Sequence, residues 1–200
     1  MADKPIIFSA PMVNALLSGR KTQTRRVLKE QNSIADAVII GGRYQWKSWK
    51  TGCVLGDVSV PYAPGSRLYV REACHIDGPK VSYRADADPA SEPPGPWRPS
   101  IHMPRWASRL TLLVTDVRVQ RLQEISGEDC IAEGADCDTC AASWSVGRSA
   151  CNQRGCFEIR RNFHDLWNSL HGPEAWDANP WVCAVSFTAH RCNIDQMREK

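Results

Sequence analysis

The stretch RLTLLVTDVRVQRL, residues 109–122, contains the clearest strand signal in the chain. Polar and apolar residues alternate over long parts of it and β-branched residues are frequent, a pattern typical of a half-buried strand. The segment RLYVRE, residues 67–72, alternates in the same way. Residues 181–187 form a mainly apolar run, which predicts a final, largely buried strand. We therefore expect a fold built mainly on strands.

Three short helices are predicted around these strands. Each is marked by a residue that favours a helix start, by apolar residues at helical spacing, or by a glycine that ends it. The predictions are a helix that starts at Pro11 and ends before Gly19, a helix over residues 127–133 behind the Ser126 and Asp129 capping pair, and a helix from Ile159 to Leu170 that ends at Gly172. Because strands and helices do not alternate regularly, we expect an α+β fold, mainly β, with a small β-barrel core and short flanking helices.

Two regions are predicted to lack long regular elements. Residues 31–65 are punctuated by glycine and proline, so short strands and turns are expected there. Residues 86–104 contain six prolines, which exclude regular structure over most of that span and predict an ordered surface loop.

Length and charge limit the classes of function. A chain of 200 residues, 42% of them hydrophobic, is long enough for one core, so residues 1–200 are expected to form a single domain. A net charge of +3 is too small for a protein that coats long duplex DNA, so any affinity for nucleic acid must be local. The chain contains neither a signal-peptide pattern nor a run of about 18 apolar residues, which favours a soluble, cytoplasmic protein.

The segment GRKTQTRR, residues 19–26, is a candidate site for a nucleotide or nucleic acid. Four cations lie within seven positions, and the residues between them supply hydroxyl and amide groups that can hydrogen-bond a base, sugar or phosphate. The four cations are Arg20, Lys21, Arg25 and Arg26. The alternative is a solvated basic turn at the end of the first helix, where the helix dipole favours positive charge.

The cysteines predict a second site. The chain has nine of them, and four are spaced Cys137-x2-Cys140-x10-Cys151-x4-Cys156. Two close pairs joined by a short loop can place four thiolates around one tetrahedral ion, so residues 135–157 are interpreted as an insert that binds a structural zinc. The alternative is a loop of free thiols, or of disulfides formed after purification.

Several motifs along the whole chain resemble those of the ASCH family of PUA-like domains, and the chain is similar to the subgroup found in bacteriophages and prophages. The motifs, in order, are IFSAPM at 7–12, GRKTQTRR at 19–26, PGSRLYVRE at 64–72, MPRWASR at 103–109, residues 117–133, and NPWV at 179–182. The sequence departs from the family at Ser66, where the family commonly has Asp after Pro-Gly. The resemblance implies a β-barrel akin to RNA-binding PUA domains, with a cleft for RNA, a nucleotide or a modified base.

The resemblance also implies a chemistry. Small bacterial members hydrolyse the amide of N4-acetylcytidine with a lysine and a threonine of the basic segment and a downstream glutamate, which match Lys21, Thr24 and Glu133. Lys21 would need its pKa lowered from about 10.4 by about three units to take the threonine proton, and neighbouring arginines favour this change. Glu133 beside Lys21 would instead raise that pKa and produce a binding site without turnover.

Three hypotheses therefore remain open: a non-catalytic protein that binds RNA, a nucleotide or a modified base, an amidohydrolase, and a ribonuclease like some relatives of the family. Arg20, Arg25 and Arg26 are the expected ligand-binding cations. Glu72 is a further candidate for the cleft wall, or else an exposed end of a strand. The aromatic residues Tyr69, Tyr83, Trp97 and Trp106 are candidates for stacking on a base, or else anchors of the core and loops.

Overall fold

The computed structural model describes residues 3–88, 95–135 and 157–197. The strands are β1 (Lys4–Ile7), β2 (Gln23–Val27), β3 (Ala35–Ile40), β4 (Arg43–Ser48), β5 (Val54–Asp57), β6 (Arg67–Arg71), β7 (Cys74–Asp77), β8 (Lys80–Tyr83), β9 (Thr111–Arg121) and β10 (Trp181–His190). The helices are α1 (Ala10–Leu17), α2 (Gly127–Ala132) and α3 (Phe157–His171), with 3-10 turns at Arg84–Asp86, Ser100–His102, Arg105–Ala107 and Leu122–Glu124. The described part is therefore α+β and mainly strand, as expected.

The chain divides into two compact units. Unit 1 contains Met1–Thr22, Pro64–Asp116 and Ser186–Lys200, and unit 2 contains Gln23–Ala63 and Val117–Val185. The chain passes from one unit to the other within β9 and again within β10.

In unit 1, β1 pairs in parallel with β6, and the start of β9 pairs antiparallel with β6. The strands β7 and β8 form a hairpin with Cys74 opposite Tyr83. Buried apolar side chains from these strands and from α1 include Leu68, Val70 and Val13. The proline-rich segment supplies Met103, which is fully buried and clusters with Cys74. Its described part is thus anchored in a core rather than lying wholly on the surface.

In unit 2, β3, β4 and β5 form an antiparallel three-stranded sheet, which confirms the short strands expected within residues 31–65. A hydrophobic core of this unit is formed by α2, α3, the start of β10 and the segment between β9 and α2. Its buried members are Leu122, Ile125, Cys130, Ile159, Phe163, Trp167 and Val182. The apolar spacing from Ile159 to Leu170 therefore identified α3 correctly.

The helix ends follow the local signals. α1 carries Pro11 in its first turn and is followed by Gly19 at φ 71°, a left-handed conformation that glycine adopts without strain. The hydroxyl of Ser126 accepts a hydrogen bond from the Asp129 backbone N–H at 3.1 Å, so the predicted cap of α2 is confirmed. Gly172, at φ 109°, follows the last residue of α3.

The expected closed barrel is not found in the described part of the chain. The largest sheet has five strands in the order β1-β6-β9-β10-β2, and the other two sheets have three and two strands. β1 and β2 stand at opposite ends of that order, so the hydrogen-bonded ring that defines a barrel is absent among the described residues. No helix in residues 3–88, 95–135 and 157–197 is both long and apolar enough to cross a membrane.

Candidate functional site

The basic segment begins as a turn and continues as a buried strand. After α1, the backbone N–H groups of Arg20 and Lys21 both donate to the Ala15 carbonyl, at 2.9 and 3.0 Å, and close the end of the helix. The chain then enters β2 at Gln23. Sequence reasoning missed this strand. It also offered a solvated turn as the alternative, which is wrong for Lys21 and Arg25, only 1% and 3% exposed.

Lys21 lies in unit 1, against the aromatic ring of Phe8. Its Nζ is 5.7 Å from the ring centroid, within the range of a cation–π interaction, and Phe8 is itself buried. The Phe8 backbone N–H is held by the Arg71 carbonyl at 3.1 Å. A buried ammonium costs free energy unless other groups compensate for it, which makes Lys21 a candidate functional residue.

Arg25 lies in unit 2, with a side chain that has no exposed area. Its guanidinium donates to Gln23 Oε1 at 2.6 Å, to Asp129 Oδ2 at 2.7 Å and to Glu133 Oε1 at 3.2 Å. Its Nε is buried and has no hydrogen-bond partner among the described residues. Two carboxylates, from α2 and its C-terminal cap, therefore bind Arg25, and its terminal nitrogens do not face solvent.

Asp129 connects Arg25 to another arginine. Its Oδ1 accepts from Arg118 Nη2 at 2.9 Å and from Gln23 Nε2 at 3.2 Å. Burial raises the pKa of Asp129, but the hydrogen bonds and charges of Arg118 and Arg25 outweigh burial and hold that pKa below its usual value. Asp129 is therefore ionised at neutral pH.

Glu133 forms the C-terminal cap of α2 and is 6% exposed. Its backbone N–H donates to the Asp129 carbonyl at 2.9 Å, which is the helical bond that aligns the two carboxylates on one side of α2. Gln23, Arg25, Arg118, Asp129 and Glu133 are named here the arginine–carboxylate cluster. Two arginines face two carboxylates in it, so the fully ionised cluster has no net charge.

Thr24 lies between Gln23 and Arg25 in β2 and is 3% exposed. Thr24 and Glu133 belong to unit 2, whereas Lys21 belongs to unit 1. Their joint role as a catalytic trio stays a prediction. The remaining two cations of the segment, Arg20 and Arg26, are half-buried.

Glu72, in unit 1, is 1% exposed, so the alternative of an exposed strand end is wrong. Both of its carboxylate oxygens accept from Arg109, from Nε at 2.8 Å and from Nη2 at 3.0 Å. Arg109 also pairs with Asp86, and its guanidinium carbon lies 3.9 Å from the centroid of the Tyr83 ring. Burial raises the pKa of Glu72, and the bonds from Arg109 only partly oppose this effect.

The aromatic candidates differ in their surroundings. The Tyr83 hydroxyl donates to the Ala107 carbonyl at 2.9 Å, so Tyr83 anchors the core of unit 1 in addition to supporting Arg109. Trp106 is 55% exposed. The centroid of the Tyr69 ring lies 5.6 Å from the guanidinium carbon of Arg105. Trp97 lines a small surface cavity with His75 and Arg98.

The four cysteines of the predicted zinc site, Cys137, Cys140, Cys151 and Cys156, lie outside the described residues. Within residues 3–88, 95–135 and 157–197, no group of three or more His, Cys, Asp or Glu side chains is arranged to hold a metal. Burial raises the pKa of Cys130 and of Cys183 to about 12, so both remain thiols at neutral pH.

Sequence reasoning missed two members of the arginine–carboxylate cluster, Arg118 and Asp129, and considered Gln23 only as a residue of the basic segment that could hydrogen-bond a ligand. Asp129 was noticed only as a helix cap. A usable signal was present, because Asp129 and Glu133 are four residues apart and such a pair shares one helix face. The partner of that face, Arg25, lies 104 positions from Asp129, and no local pattern identifies it.

Searches of protein-family models, curated proteins and solved structures found no match to this chain. The resemblance to the ASCH family thus depends on the sequence motifs.

Proposed function

We propose that the protein is an ASCH-like, PUA-like domain of phage type that binds a nucleotide or modified nucleoside through its basic segment. The observation that carries the proposal is the burial of four polar residues of this segment. Lys21, Gln23, Thr24 and Arg25 are each less than 5% exposed. A surface that binds long RNA by counterion release needs exposed cations, whereas buried polar groups suit a small ligand that enters a pocket.

Within this proposal the arginines have different roles. Arg25 is bound by Gln23, Asp129 and Glu133 and acts by positioning the Glu133 carboxylate. Arg20 and Arg26 keep exposed area and are the cations proposed to contact the ligand phosphate or base. The ligand is therefore a single nucleotide unit, or one base of an RNA, rather than a duplex.

Binding is tested with a panel of modified nucleosides, nucleotides and a short RNA at several salt concentrations. Arg26→Gln is expected to weaken binding and reduce its salt dependence, because one phosphate or base contact is lost. Arg43→Gln is the matched control, since Arg43 is an exposed arginine of β4 outside the basic segment. Equal affinity for all three proteins would contradict the proposal.

The second candidate function is hydrolysis of an N4-acetylcytidine-type amide. The burial of a lysine and a threonine three residues apart in one segment favours it, because a desolvated amine and a shielded hydroxyl are the reactants that such chemistry requires. In the proposed reaction, neutral Lys21 takes the Thr24 proton while the hydroxyl oxygen attacks the acetyl carbonyl. The Glu133 carboxylate passes the proton from the resulting Lys21 ammonium to the departing amine of cytidine. Water then cleaves the acetyl-threonine ester and releases acetate.

This candidate is tested by incubating the protein with N4-acetylcytidine and measuring cytidine and acetate by mass spectrometry. Thr24→Val and Lys21→Met are expected to abolish release. Thr22→Val is the matched control, since Thr22 lies in the same segment but is exposed. No release by the wild-type protein, or full release by Thr24→Val, would exclude this chemistry, and cleavage of the RNA in the same assay would favour the ribonuclease hypothesis.

We also propose that Cys137, Cys140, Cys151 and Cys156 bind one structural zinc. Support comes from their spacing, which suits four thiolates around a tetrahedral ion. Elemental analysis is expected to give one zinc per chain, and Cys140→Ser is expected to lower that content. Cys53→Ser is the control, because Cys53 is exposed and outside the four-cysteine pattern. Equal zinc content in both variants would contradict this assignment.

A further inference from the structure

A surface cavity of about 290 Å³ in unit 2 lies beside α3. It is lined by Arg160, Arg161, His164 and Trp176, none of which belongs to the basic segment or to the arginine–carboxylate cluster. Its volume is just below the range typical of small-ligand pockets, about 300–1,000 Å³. The cavity therefore fits a ligand of roughly the size of one nucleotide.

The two arginines supply the charge of this cavity. Arg160 donates from Nη2 to the Gln123 carbonyl, and its guanidinium carbon is 5.9 Å from the centroid of the Trp176 ring. Arg161 follows it in α3 and is also exposed. Two guanidinium groups that line one cavity can make several charge-assisted hydrogen bonds to a phosphate.

Trp176 supplies an aromatic wall that is ordered in advance. Its backbone N–H donates to Asn168 Oδ1 at 2.9 Å, and its carbonyl accepts from Gln123 Nε2 at 3.0 Å. Phe163 and His164 both approach the indole edge to face, with an interplanar angle of 72° in each case. The half-buried indole is thus fixed in orientation, which lowers the entropic cost of stacking a flat ligand on it.

Both ring nitrogens of His164 have a hydrogen-bond partner. Asn168 Oδ1 accepts from the Trp176 backbone, so the Asn168 Nδ2 group points to His164 Nε2, at 3.3 Å, and donates to it. The Nδ1 atom then carries the proton and donates to Asp165 Oδ1 at 2.7 Å. The Asp165 carboxylate is thereby engaged by His164.

We propose that this cavity is a binding site for a nucleoside monophosphate. The phosphate binds Arg160 and Arg161, and the base packs on Trp176. A nucleoside monophosphate combines a charged phosphate, which the two guanidinium groups can bind, with a flat aromatic base, which can stack on the indole. The proposal is independent of the basic segment, because the two sites share no residue.

The test measures binding of cytidine 5′-monophosphate, cytidine and inorganic phosphate by calorimetry at low salt. Saturable binding of the monophosphate is expected, with cytidine and phosphate each at least tenfold weaker. Arg161→Gln is expected to weaken monophosphate binding about tenfold, and since Arg161 is exposed the variant should fold. Arg43→Gln is the control and should bind like the wild type. Trp176→Phe should retain binding, whereas Trp176→Leu should weaken it.

Separate variants distinguish this site from the basic segment. Binding that persists in Lys21→Met and Arg26→Gln but falls in Arg161→Gln supports the cavity. Loss of monophosphate binding in Lys21→Met, with unchanged binding in Arg161→Gln, would overturn the assignment of the cavity. The absence of saturable monophosphate binding would overturn it as well. If inorganic phosphate binds as tightly as the monophosphate, the proposed packing of the base on Trp176 is wrong.

Discussion

Arg25 and Arg105 each bind two carboxylates, as Arg109 also does, but Arg25 and Arg105 lie in opposite environments. Arg25 in unit 2 pairs with Asp129 and Glu133, and its side chain has no exposed area. Arg105 in unit 1 pairs with Asp3 and Asp195, and its side chain is 39% exposed. The chemical groups are alike, so the difference between the two clusters isolates the effect of burial.

Burial changes the result of removing one partner. In water, the remaining charges are solvated and the loss is small, whereas in the interior they remain desolvated without a counterion. The arginine–carboxylate cluster should therefore be sensitive to each of its members. The cluster of Arg105, Asp3 and Asp195, named here the Arg105 cluster, should tolerate the same changes, because water and salt can replace the lost partner.

The largest effect is expected for Arg25→Met. Replacement leaves Glu133 and one oxygen of Asp129 without the guanidinium that binds them, and the loss of a buried pair costs about 3–5 kcal/mol. The measurement is the free energy of unfolding in urea. Arg25→Lys keeps the charge but not the forked geometry and should lie between the wild type and Arg25→Met.

The matched control for this prediction is Arg26→Met. Arg26 is the next residue of β2 and is only half-buried, so its replacement should cost much less. If Arg25→Met and Arg26→Met unfold at the same urea concentration, burial of the arginine–carboxylate cluster does not increase its contribution to stability. The proposed difference between Arg25 and Arg105 would then be wrong.

A smaller effect is expected for Asp129→Asn. The new amide places N–H donors opposite the donors of Arg25, Arg118 or Gln23, which should cost about 1–3 kcal/mol at neutral pH. The pKa of Asp129 is lowered in the folded protein, so its contribution is present above the unfolded pKa of about 3.9 and is lost as pH falls through the folded pKa.

The pH dependence sharpens this prediction. Wild-type stability should decline more steeply than that of Asp129→Asn as the pH falls below about 4, and urea unfolding at several pH values measures the difference. Asp57→Asn is the control, because Asp57 is an exposed residue of β5. Parallel pH curves for the wild type and Asp129→Asn would contradict an ionised, arginine-bound Asp129.

The same comparison explains what could be predicted from the sequence. α1, α2 and α3 were identified because Pro11, Gly19, Ser126 and the apolar spacing of α3 act within a few residues of where they stand. β9 was identified by alternation. By contrast, β2 is made of QTRRV, and its buried residues are polar, so a rule that looks for apolar alternation does not find it.

The candidate site was predicted in part for a related reason. The motifs pointed to Lys21, Thr24, Arg25 and Glu133 as residues of interest, but no short-range pattern reveals that Arg25 is buried. Its burial is possible because α2 supplies Asp129 and Glu133 more than 100 positions later in the chain. Ion-paired cores of this kind are set by tertiary structure, and the open order of the main sheet, where a barrel was expected, is set in the same way.

The smallest effect is expected for Arg105→Gln. Arg105 donates to both oxygens of Asp195 from Nε, at 3.1 and 3.2 Å, and also pairs with Asp3, which keeps a second partner in Arg67 at 3.0 Å. The hydrogen bond from Arg105 lowers the pKa of Asp195, which is solvent-exposed. Because salt screens exposed charges, the small difference in melting temperature between this variant and the wild type should shrink further at 0.5 M NaCl, at a Debye length of about 4 Å. A loss as large as that of Arg25→Met, or one that salt does not change, would mean that exposure does not separate the two clusters.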